Sequence, residues 1–145
     1  MNAEQLQKTL RASQYAEQVL SIHQVYLEQD YAIDQFSQPL TTEQIFDVVQ
    51  NSLKEISDET TWMRTIRILR ARLMFRWIWQ DANQLIDVMT LTRELSDFAD
   101  AAICVAKAFA LFSLGYSEDI NSLIQKSLEI NPNNSEAKEL LEHIS

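Results

Sequence analysis

One glycine, Gly115, and two prolines, Pro39 and Pro132, are the only strong helix breakers in 145 residues. Almost nothing along this chain interrupts a helix, and the apolar residues recur at helical spacing. In "QYAEQVLSIHQVYLEQD" the stripe is Tyr15, Val19, Ile22 and Tyr26. After Pro39, a capping threonine (Thr41 or Thr42) precedes Ile45, Val48, Val49, Leu53 and Ile56. Asp58 is placed to cap the next helix. A further one begins near Thr90 and carries Leu91, Leu95, Phe98, Ala102, Val105, Phe109 and Phe112 in alternating steps of four and three, a seam for packing on another helix. Gly115 is well placed as the left-handed residue that ends it. No strand pattern matches these in strength. The expectation is an all-α fold of about six helices in a single domain spanning 1–145.

The shortage of glycine also limits function. Dinucleotide fingerprints and phosphate-binding loops each need two or more glycines, so neither is present. A formal net charge of -9 argues against general nucleic-acid binding, which needs a net basic face. No apolar run approaches the roughly 18 residues of a membrane span, and the first residues lack a signal peptide's apolar core. The lone Cys104 excludes an internal disulfide and fits a reducing cytoplasm. His23 and His143 lack zinc-site spacing and read as surface or interface residues, and Cys104, mid-helix among alanines, reads as an inert buried thiol. No cofactor and no metal are expected.

Against that acidic background, "WMRTIRILRARLMFRWIWQDA" is the anomaly, with five of the chain's twelve basic residues within it. With successive residues turned by 100° and Arg64 as origin, Trp62, Ile66, Leu69, Leu73 and Trp77 fall between about 140° and 220°. Ile68, Ala71, Phe75, Ile78 and Trp79 form a second apolar group between about 320° and 60°. Arg64, Arg67, Arg70, Arg72 and Arg76 border both groups without segregating to one side. A membrane-surface or groove-binding helix would gather its charges, whereas a central helix packed on two sides would scatter them. These five arginines are therefore candidates for structural ion pairs or protein docking, with Glu55, Asp58, Glu59 and Asp81 as nearby carboxylate partners.

The same residues carry a resemblance. Met63, Arg64, Arg67, Arg70, Arg72, Met74 and Arg76 match the form M-R-x-[LI]-R-x-x-R-x-R-x-M-x-R, and Leu95, Ser96, Phe98, Ala99, Asp100, Ala101 and Ile103 match L-S-x-[LF]-A-D-A-x-I. Both patterns, in this order, resemble the N-terminal segment of the glutamine synthetase adenylyltransferase/deadenylylase family, over about residues 12–108. The resemblance implies a role in regulating nitrogen assimilation, with glutamine synthetase or a nitrogen-signalling protein as partner. The family's catalytic domains use a Gly-Ser turn and paired aspartates to hold metal and nucleotide. The nearest echo is "LGYSEDINSL", where Asp119 meets the first aspartate position and Asn121 stands at the second. An amide ligates a divalent cation far less well than a carboxylate, so no catalytic residue is assigned.

The end of the chain departs from that family. "SLEINPNNSEAKELL" resembles a tetratricopeptide-repeat boundary; with Pro132 at the repeat's proline, residues 101–134 form one unit of about 34 residues with Gly115 on its inter-helix turn. Residues 109–145 are thus expected as a TPR-like helical hairpin packed on the segment before it. Two functions follow: a shortened, non-catalytic relative acting as helical scaffold or protein-binding segment, or a small TPR-like adaptor for an unrelated protein or peptide.

Overall fold

A computed structural model describes residues 1–113 and, beyond them, only Gln125, Glu129 and Lys138. Among the described residues there are five α-helices and no strand: α1 (Ala3–Ala12), α2 (Gln14–Asp34), α3 (Thr42–Leu53), α4 (Glu59–Ala82) and α5 (Val88–Ser113). The expected sixth helix and TPR-like hairpin lie outside the described residues, as does Gly115.

Each start is written locally. Asn2 Oδ1 accepts from the Glu4 and Gln5 amides, closing α1, a helix the apolar spacing had not announced. Ser13 serves two helices: its own amide closes α1 on Thr9, and its hydroxyl accepts from Ala16 at the start of α2. Thr41 and Gln44 form a reciprocal capping box on α3. Asp58 accepts from the Thr61 amide at 2.8 Å, as expected of it. Asp87 accepts from the amides of both Met89 and Thr90, so α5 starts at Val88, two residues before the expected Thr90. The exit from α2 has no glycine, yet Gln35 and Phe36 take φ of 56° and 53°. Asp34 Oδ1 accepts from the Phe36 amide at 2.9 Å, and the buried Phe36 ring anchors the turn.

Helix α4 is the axis, packing against each of the other four helices. Its first apolar face, Trp62, Leu69, Leu73 and Trp77, joins Ile45, Val49 and Leu53 of α3 with Phe98 and Ala101 of α5. Its second, Phe75 and Trp79, joins Ala16, Val19 and Leu27 of α2 with Phe36. Trp62 stacks on Phe109 with ring centroids 5.8 Å apart, so α5 runs back along α4 with its far end beside the start of α4. The two-faced wheel is the observed packing.

The stripe read in α2 is not. Val19 is buried, whereas Ile22 is 72% exposed and Tyr15 and Tyr26 also face solvent. The helix carries a kink at His23 (φ -120°, ψ 23°), but Tyr15 and Ile22 are exposed before it; the row that reaches the core, Ala16, Val19 and Leu27, lies on the neighbouring side of the helix. In α5, Leu95 likewise faces outward, and Ala101 takes a core position instead.

Candidate functional site: the arginine helix

The five arginines divide into two groups. Arg72 and Arg76 are one turn apart on α4 and meet Asp30 and Asp34, one turn apart on α2. Arg72 Nε donates to Asp30 Oδ2 at 2.8 Å and its terminal nitrogen to Oδ1 at 2.6 Å. The guanidinium also lies 5.3 Å from the Tyr26 ring centroid. The Asp30 hydrogen bonds, partly opposed by burial, hold Arg72 above its ordinary pKa.

Arg76 forms the deeper pair. It donates to both Asp34 oxygens, at 3.0 and 2.7 Å, and to the Gln38 carbonyl at 2.6 Å, with its guanidinium 5.2 Å from the Phe36 centroid. Its side chain is 8% exposed against 31% for Asp34. Burial alone would raise the Asp34 carboxyl; hydrogen bonds from Arg76 and the Phe36 amide overcome it, and the pKa falls below 3.8. One further turn along, Gln80 donates to the carbonyls of Phe36 and Gln38. Arg72, Arg76 and Gln80 thus bolt α4 to the end of α2 and the linker after it.

The carboxylates nominated from sequence, Glu55, Asp58, Glu59 and Asp81, take no part in these pairs. Asp58 is occupied as the cap of α4 itself, and the pairing partners come from 42 residues upstream.

Arg64, Arg67 and Arg70 form the second group. They follow one another at three-residue steps on the first half of α4, all three are exposed, and none makes an ion pair among the described residues.

Sequence reasoning missed Glu94. Fully buried on α5, it accepts from Trp77 Nε1 at 2.8 Å and from the Leu40 amide at 3.0 Å, with Arg93 at 3.8 Å. Burial raises its pKa above 4.5 against these donors. It ties α4, α5 and the linker before α3 together, a structural task. Cys104 is half-buried, and burial pushes its thiol pKa up, which disfavours the thiolate needed for nucleophilic chemistry. His23 is half-buried at the α2 break. Among the described residues no group of three His, Cys, Asp or Glu side chains is gathered for a metal, and no helix is long and apolar enough to cross a membrane. Asp119, Asn121 and His143 lie outside the described residues.

The architecture defines a helical bundle segment built around one arginine-rich helix. Its residues 3–121 match the family model for glutamate-ammonia ligase adenylyltransferase, and the chain belongs to that family. The match runs past both ends of the expected 12–108, and at its far end it takes in residues 109–121, part of the stretch expected to depart from the family. The chain is 66% identical over 132 residues to the bifunctional glutamine synthetase adenylyltransferase/adenylyl-removing enzyme of Acinetobacter baylyi. That alignment covers 86% of this chain and 14% of the relative, so the chain spans about a seventh of the relative's length. No solved structure matches it.

Proposed function

We propose that this chain is a non-catalytic, protein-binding relative of the N-terminal part of the adenylyltransferase, acting in regulation of nitrogen assimilation. The observation that carries the reading is the second arginine group: Arg64, Arg67 and Arg70 stand exposed on an acidic chain with no carboxylate partner among the described residues. Like charges three residues apart weaken a helix slightly, and they offer an acidic surface planar donors in a row. Arg72 and Arg76, already paired, serve the scaffold. The partner proposed is glutamine synthetase, the protein named in the relative's own description, with a nitrogen-signalling protein as the other candidate.

The test is binding of the purified full chain to glutamine synthetase by biolayer interferometry at low and high salt. Binding that weakens with salt and is lost in the Arg64→Glu, Arg67→Glu, Arg70→Glu triple variant supports the reading. Absence of binding to either candidate partner, or equal binding by the triple variant, overturns it. The chain alone is expected to neither attach AMP to glutamine synthetase nor remove it.

A further inference from the structure

Helices α2 and α3 both pack on α4 and do not pack on each other. Between them runs a cleft of about 460 Å³. Leu69 and Leu73 of α4 line its floor, Ile33 of α2 and Val48 of α3 line its two sides, and Asp47 of α3 lines it beside Val48. Ile33 is 83% exposed and Val48 37%, an apolar pair on walls that nothing in the described chain covers.

We propose that this cleft is a docking groove for an amphipathic helix that presents an apolar stripe flanked by a lysine or arginine. Three observations select that occupant. A small molecule needs walls that bury most of its surface, and a wall residue as open as Ile33 cannot supply them; a helix lying between two others needs only a floor and sides. The two carboxylates on the α2 side, Asp30 and Asp34, are already bound by Arg72 and Arg76, whereas Asp47 is exposed and has no ion pair among the described residues. A cationic side chain on the occupant would meet Asp47. At 100° per residue Arg64 and Arg67 lie on the far side of α4 from the Leu69–Leu73 floor and Arg70 lies about 60° from Leu73, and none of the three lines the groove. The inference refines the protein-binding reading above but uses none of its residues.

The probe is a lysine-rich peptide with leucines at i, i+3, i+4 and i+7, titrated into the isotope-labelled full chain and followed by amide NMR shifts. Its control is a twin of identical composition with leucines spread around the helix. Shifts should gather at Ile33, Val48, Leu69 and Leu73, and the twin should bind at least about tenfold more weakly, the loss expected when apolar anchors are misplaced. Ile33→Asp with Val48→Asp, both on exposed positions, should weaken the first peptide about tenfold or more, and Asp47→Lys should weaken it less. The Arg64→Glu, Arg67→Glu, Arg70→Glu variant should bind the peptide undiminished, which separates failure here from failure of the arginine docking reading. Shifts scattered over other acidic surfaces, equal binding of the twin, or no effect of the paired aspartates would overturn the proposal. Concentration-dependent dimerisation that broadens the same groove residues would assign the groove to a second copy and overturn it too.

Discussion

Removing Asp34 should damage this fold more than removing Asp30, although both aspartates make two-pronged pairs with arginines on the same helix. The difference lies in what is left behind. Asp34→Ala strands Arg76, whose side chain is 8% exposed, with only the Gln38 carbonyl as acceptor; its Nε already has no hydrogen-bond partner. Asp30→Ala strands Arg72, which at 28% exposure can hydrate and keeps its contact with Tyr26. Breaking a buried pair by deleting one partner costs roughly 3–5 kcal/mol, and an exposed pair is worth about 0–1 kcal/mol. Asp34 is itself 31% exposed, so water screens part of the interaction, and the expected loss falls to the bottom of the buried range or just below it, about 2–3 kcal/mol. The Asp30 variant should lose about 1 kcal/mol. For a chain of this size each kcal/mol moves the melting temperature by about 4 °C, so the two variants should differ by roughly 4–8 °C. Urea unfolding followed by tryptophan fluorescence reads the affected region directly, because Trp62, Trp77 and Trp79 all lie on α4. Equal losses, or a larger one for Asp30→Ala, would refute the claim that burial of the cation decides the cost.

Two further outcomes follow from the core. Leu73→Ala removes a buried side chain from the first apolar face of α4 and should cost roughly 2–5 kcal/mol in the same assay; a loss under about 1 kcal/mol would turn that face outward. Glu94 has a folded pKa raised above 4.5, so its contribution is full below that value and is lost as pH rises through the raised folded value. The stability penalty of Glu94→Gln should therefore be largest at low pH and shrink as pH rises through that window, the opposite sign to Asp34, whose lowered pKa makes its contribution fade as pH falls; a penalty that grows with pH would contradict this.

What the sequence disclosed about this fold is what lies within a turn or two along the chain. Thr41 with Gln44, and Asp58 before Thr61, are caps whose whole chemistry spans three residues. The two apolar faces of α4 were legible because the helix is unbroken, so its period holds from Trp62 to Trp79. In α2 the chosen stripe ran along the edge of the buried face, whose row is Ala16, Val19 and Leu27, and residues spaced well enough to look like core ended in solvent. Periodicity shows that a helix has an apolar face; it does not show that this chain covers it. Ion-pair partners were harder still. Asp30 and Asp34 are separated from their arginines by a turn and a whole helix, and the nearer carboxylates that proximity favoured are spent elsewhere or unused. Glu94 was hidden for another reason: a carboxylate among apolar residues on a helix reads as a solvent-facing break in the stripe. Only the Trp77 indole and the Leu40 amide, brought from other elements, make its burial tolerable.

The arginine helix shows why one residue type can serve two ends on one element. Packing between helices needs a cation whose stem adds apolar contact and whose fork satisfies a carboxylate in one plane, and Arg72 and Arg76 do this against α2. That requirement stops where α2 stops covering α4. Toward the start of α4, Arg64, Arg67 and Arg70 are exposed and meet no carboxylate of the described fold. Placed three residues apart, each pair costs the isolated helix some tenths of a kcal/mol. A fold built only for its own stability would gain by replacing one of them with glutamate, which would convert repulsion into a helical ion pair. Among the described residues the three charges find no partner that would offset this repulsion, and that is the ground for the proposal that they serve a second molecule.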